Sequence, residues 1–138
     1  MADGDHINHI VKSAFGETTD GSSIDLLTVD LSEIISTEAL ISCTAYVVGV
    51  KNDKTSTYSE KLFTIGVIDD GAIAMSSDAE IGSHDGAGGL YGVGISGDGV
   101  DTIKLTVNGE ARDAVGWLGR IEVDITEFEL LANTGGGS

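Results

Sequence analysis

The sequence contains no proline, so none of its turns rests on a pre-set backbone angle; glycine, aspartate, serine and asparagine must make them. It has one cysteine, Cys43, which excludes an intrachain disulfide. Cys43 lies in the apolar run ALISCTAYVVGV and is expected to be a small buried hydrophobe rather than a nucleophile. Basic residues are scarce: Lys plus Arg number 7 against 23 Asp plus Glu, for a formal charge of -16. A phosphate backbone or an anionic membrane would repel such a chain at long range, so neither a nucleic-acid nor a membrane partner is expected. A soluble acidic surface is expected instead, and a saline medium would screen it. No apolar run reaches the length of a membrane-spanning helix. The opening MADGDHINHI has neither a basic segment nor an apolar one, so synthesis in the cytoplasm without a signal peptide is expected.

What is present points to strands. The 138 residues suit one domain, and a hydrophobic fraction of 41% is enough for a core. Short β-branched runs alternate with turn residues, and glycine numbers 20, which together read as an all-β chain of about eight mainly antiparallel strands, a β-sandwich or jelly roll. Expected strands run from Ile7 to Phe15 and from Ile24 to Leu31, where Leu27, Val29 and Leu31 share a face, with a turn at Asp20-Gly21 between them. Ser32 could cap a short helical turn. Ala39 to Val50 is apolar on both faces and is expected at the centre of a packed sandwich. Strands follow at Tyr58 to Ile68 and Ala72 to Met75. Ser76 to Gly89 reads as a long polar loop, and Leu90 to Ser96 as a strand with a bare glycine face.

Ile103, Leu105 and Val107 then alternate with Lys104 and Thr106, and Asn108-Gly109 is the strongest hairpin signal in the chain. In the last strand Val115, Trp117, Gly119, Ile121, Val123 and Ile125 fall on one face, against Leu118, Arg120, Glu122 and Asp124 on the other. Val115, Trp117, Ile121, Val123 and Ile125 are therefore the expected structural core, with Trp117 as its aromatic anchor. This divides the chain into an N-terminal arm or edge strand over 1–15, one domain over 16–130 and a flexible tail over 131–138.

Few residues suggest chemistry. His6 and His9, near Asp3 and Asp5, have a spacing that a transition metal uses, but on a strand residues three apart face opposite ways. Ser83, His84 and Asp85 are adjacent, whereas a catalytic triad converges from separate elements. Asp69-Asp70, Asp78/Glu80 and above all Asp98/Asp101 in SGDGVD gather oxygens of the kind calcium takes, although acidic turn residues serve first as turn formers. The glycines of GAGGLYGVG precede no helix and so offer no phosphate site. No catalytic residue, metal or cofactor is assigned, and an enzyme is not expected.

The pattern of Ile103-Lys104-Leu105-Thr106-Val107, Asn108-Gly109 and then Trp117-Leu118-Gly119-Arg120-Ile121-Glu122-Val123 resembles the small β-sandwich structural proteins of tailed bacteriophages. AYVVGVKNDKTSTYSEKLFTIGVIDDG is similar to their middle, so the likeness covers Ala39 to Phe128. It implies a virion protein: a head decoration, head fibre, or tail-fibre and receptor-binding domain, often trimeric. A decoration (cement) protein on the outside of the head fits a compact chain without heptads. Met1 to Phe15 would then dock on the major capsid protein or another virion protein. Leu90, Tyr91, Gly92, Val93 and Gly94 are the expected trimer contact. The alternative is a tail-fibre or receptor-binding domain that recognises carbohydrate, for which Tyr46, Tyr58 and Tyr91 are the aromatic candidates.

Overall fold

Alternating apolar and polar residues have one low-energy solution when half of them must leave water: extended strands that pair and turn a common face inward. The computed structural model shows this over residues 7–33, 38–54, 57–76, 78–85, 92–109 and 114–127, the residues it describes. Nine strands lie among them: β1 (Ile7–Thr18), β2 (Ser23–Asp30), β3 (Ala39–Lys51), β4 (Thr57–Asp69), β5 (Ala72–Met75), β6 (Ala79–Asp85), β7 (Gly92–Gly97), β8 (Thr102–Asn108) and β9 (Val115–Glu127). There is no helix among the described residues. All strand pairs are antiparallel. The large sheet runs β1-β9-β3-β4-β5, with β6 also paired to β4, and the small sheet runs β2-β8-β7. The fold is an all-β, two-sheet sandwich.

The core fills the space between the sheets. β3 contributes Ile41, Cys43, Ala45 and Val47, and β9 contributes Val115, Trp117, Ile121, Val123 and Ile125. From the small sheet come Leu27, Val29, Ile103, Leu105 and Val107, followed by Leu31 just past β2. Each such aliphatic side chain adds about 1.5–3 kcal/mol by leaving water. A register shift between Asp25 and Leu27 turns Leu26 inward beside Leu27. Its methyls then reach the backbone of Gly16 and Gly119, where an added Cβ would lie 2.9 Å and 2.5 Å from them. The flanks are tied by polar contacts: Lys12 Nζ donates to the Thr28 carbonyl at 2.8 Å, and the Ile73 amide donates to the Val100 carbonyl at 3.0 Å.

Three sequence expectations change. Ser76 to Gly89 is not wholly a loop, because Ala79–Asp85 pairs with the Tyr58–Phe63 stretch of β4 as β6, with a bulge at Ile81. Backbone pairing along an open strand edge outweighs a weak local pattern, and it raises the strand count from about eight to nine. Asn108-Gly109 does not close a hairpin: β8 belongs to the small sheet and β9 to the large one, so the link crosses between layers. Gly109 is needed there for space, since a Cβ would stand 2.7 Å from the Asp20 carbonyl. The two-residue hairpin with paired positive φ is Asp70-Gly71 (54° and 78°), between β4 and β5. Finally, β3 lies centrally in its sheet, but only one of its apolar faces is covered.

Cys43 is wholly buried, and burial pushes its thiol up to about 12. A thiolate at neutral pH is therefore disfavoured. An aromatic disulfide reagent at pH 8 is expected to leave native protein unlabelled and to label one thiol after unfolding in guanidinium. Rapid labelling of the native state would contradict this packing.

Candidate functional site

Among the described residues, one face of the large sheet has no second layer over it. Period two makes it: residues that alternate with the core positions point outward, and register aligns them into rows across β1, β9, β3 and β4. One row is Phe15, Leu118, Val48 and Ser59; another includes Thr126, Leu40 and Val67. The exposed large apolar residues on this face are Val11 and Phe15 on β1, Leu118 on β9, Leu40, Tyr46 and Val50 on β3, and Phe63, Ile65 and Val67 on β4. Phe15 is 75% exposed, Leu40 54% and Leu118 53%. A soluble monomer seldom leaves so many large apolar groups on one sheet face in water.

The face is uneven. At one corner a groove of about 590 Å³ is lined by Leu40, Ile65, Val67 and Ala74 together with the polar Ser42, Ser76, Asp124 and Thr126. At the opposite corner the exposed Phe15 ring lies over Gly116 of β9, its Cζ 3.5 Å from where a Cβ there would be. Between the corners runs a charged band. His9 Nδ1 lies 2.5 Å from Asp124 Oδ1, its partner across the strand pair, and Nε2 lies 3.8 Å from Glu122. Arg120 reaches Glu122 at 3.5 Å. Across the rows that β3 spans, the carboxylates are Glu17, Glu122 and Asp124, and the permanent cations are Lys61 and Arg120. The face is thus almost neutral on a chain of formal charge -16.

The hydrogen bond from His9 to Asp124, and then the charge of that carboxylate, raise the His9 pKa above its ordinary 6.5, and Glu122 adds to the effect. The sign follows: protonated His9 contributes to stability in full below pH 6.5, and that contribution is lost as pH rises through the raised folded value. The imidazole proton shifts of His9 should therefore titrate above 6.5, and Asp124→Asn should return the midpoint towards 6.5. A midpoint at or below 6.5 in the unaltered chain would contradict the pairing.

Beneath the opposite, inner face lies a buried polar chain. The Trp117 indole N–H donates to Thr18 Oγ1 at 2.9 Å, and the ring meets Tyr58 edge-on at 6.2 Å and 77°. The Tyr58 hydroxyl donates to the Glu60 carboxylate. Trp117 is 0% exposed and Glu60 only 8%. Sequence reading missed Glu60, although its position is visible: it alternates in phase with Tyr58 and Leu62.

The other candidates are dispersed. Val115, Ile121, Val123 and Ile125 lie in the core with Trp117. Leu90 and Tyr91 lie outside the described residues; Gly92, Val93 and Gly94 are half-buried on β7. The next residue's amide, that of Ile95, is taken by Asp78 Oδ2 at 2.7 Å, which blocks strand addition at that point of the edge. Of the tyrosines, Tyr46 is exposed on the outer face, while Tyr58 is buried and unable to stack on a ligand; this removes it from the sugar-binding set. His6 lies outside the described residues, and His9 faces Asp124. Ser83, His84 and Asp85 are consecutive residues of β6. Asp98 Oδ1 accepts the amides of Val100, Asp101 and Thr102 at 2.8, 3.0 and 3.0 Å, which lowers its pKa and makes it a turn former. No cluster of three or more metal-ligating side chains occurs among the described residues.

Fold and face together define a two-sheet β module with one layer left uncovered. No family profile matches the sequence, and no curated protein matches it. Two solved structures are similar to it. One is the tailspike protein of Acinetobacter baumannii phage AM24, with a TM-score of 0.45 and 12% identity over 93% of this chain and 27% of that one. The other is the tailspike protein of Acinetobacter phage vB_ApiP_P1, with a TM-score of 0.48 and 17% identity over 85% of this chain and 21% of that one. The chain spans about a quarter of the length of either tailspike.

Proposed function

We propose that the chain is a non-catalytic structural module of a tailed-phage virion, working in the tail-fibre or receptor-binding apparatus. The observation that carries an assembly role is the uncovered apolar face of the large sheet, which makes physical sense only when another surface meets it. The sequence resemblance to phage β-sandwich structural proteins supports the virion setting, and it implies that copies assemble, with a trimer as the expected order. The pairing of β1 counts against attachment to the head through residues 1–15. Ile7–Thr18 is paired with β9 along its whole length, so an arm made from it would have to leave the sheet. Partner virion proteins in the tail are therefore preferred over the major capsid protein.

The test is immunogold labelling of intact particles of the encoding phage with antibody raised against this chain. Gold over the tail fibres or tail tip is expected. Gold over the head would restore the decoration reading, and unlabelled particles would remove the virion reading altogether.

A further inference from the structure

We propose that the uncovered face of the large sheet is the surface on which a second copy of this chain docks. The inference deepens the assembly role proposed above by naming the partner.

Three observations favour a second copy over another occupant. The first is charge. Two chains of formal charge -16 repel wherever their ordinary surfaces meet, and the least costly contact is a patch whose own charges cancel. The outer face is such a patch: β3 contributes no charged residue in its outward positions from Leu40 to Val50, and His9–Asp124 and Arg120–Glu122 are paired within the face. A strongly basic partner would have no acidic surplus to meet there.

The second is size. β1, β9, β3 and β4 are 12, 13, 13 and 13 residues long. At about 4.8 Å between strands and about 3.3 Å per residue they present roughly 800 Å². That is about what each partner contributes to an interface of standard size.

The third is shape. A surface that meets its own copy must be self-complementary, so that each copy offers both halves of a contact. Phe15 and the groove bounded by Leu40, Ile65 and Val67 stand at opposite corners of the one face. Phe15 of one copy seated in the groove of another would bury the most exposed of the large apolar side chains.

Sedimentation velocity of the whole purified chain tests this without a virion. The unaltered chain should sediment as two copies of 14.2 kDa at micromolar concentration, because one self-complementary face closes on a single partner. Phe15→Asp and Ile65→Asp, both at exposed positions, should each sediment as a single copy with unchanged circular dichroism. Val100→Asp is the control, because Val100 is 56% exposed in the β7–β8 turn, away from this face; its mass should match the unaltered chain. A single copy at the highest soluble concentration overturns the proposal, and polysaccharide or another tail protein bound by that monomer would name the true occupant. An oligomer that survives both face variants also overturns it. Either result leaves the tail placement to the labelling experiment, so the two readings fail separately.

Discussion

Trp117→Ala is expected to lower the unfolding free energy by about 4 kcal/mol, within the 3–5 kcal/mol range for truncating a buried large aromatic. The indole is 0% exposed, so its removal leaves a cavity as well as losing transfer energy. It also removes the edge-on contact with Tyr58 and the donor to Thr18, whose side chain is itself buried. A domain is stable by only about 5–15 kcal/mol, so this one change consumes a large part of the margin. Denaturant titration followed by far-ultraviolet circular dichroism reads it directly, because the variant has lost the only tryptophan. Trp117→Phe should fall between: it keeps most of the ring volume and leaves Thr18 without its donor, at about 1–3 kcal/mol. A loss below about 1.5 kcal/mol for Trp117→Ala would mean that the indole is not the anchor described.

The second large effect concerns a residue with no side chain. Gly49 on β3 stands directly opposite Trp117 on β9 and Tyr58 on β4. A Cβ at Gly49 would lie 2.7, 2.8 and 3.1 Å from three carbons of the indole ring. The ring is 0% exposed, bonded to Thr18 through its N–H and packed edge-on against Tyr58, so it can yield little. Gly49→Ala is therefore expected to cost about 2–3 kcal/mol through overpacking. Gly82→Ala on β6, where nothing lies within 4 Å, should stay within about 0.5 kcal/mol of the unaltered chain. If the ring is the obstacle, Gly49→Ala should cost less in a Trp117→Phe background, a coupling that a double-mutant cycle measures. Equal effects at Gly49 and Gly82 would dispose of this account.

These two residues also show where reading along the chain stops. That Trp117 faces inward was legible, because Val115, Ile121, Val123 and Ile125 alternate in step with it and all of them are buried. That the indole needs glycine beside it was not. Gly49 is its cross-strand neighbour only through register with β3, and it is far from Trp117 in sequence. The uncovered face was half legible. The apolar character of both faces of β3 was plain, but which face would lack a layer depended on where the small sheet, β2, β8 and β7 among the described residues, came to lie.

By itself, the sequence determined the all-β class, the strand phases and the inward face of β9. Each of these follows from a period of two and from turn residues, which act over a few neighbours. Tertiary structure alone decided that Asn108-Gly109 spans two layers, that Ala79–Asp85 becomes a strand, that Glu60 meets Tyr58 inside the core, and that the outer face of the large sheet stays open. The physical reason is that strand pairing is made by backbone amides and carbonyls, which are the same in every residue but proline. The choice of partner is thus settled by how the whole chain can bury its apolar faces at once.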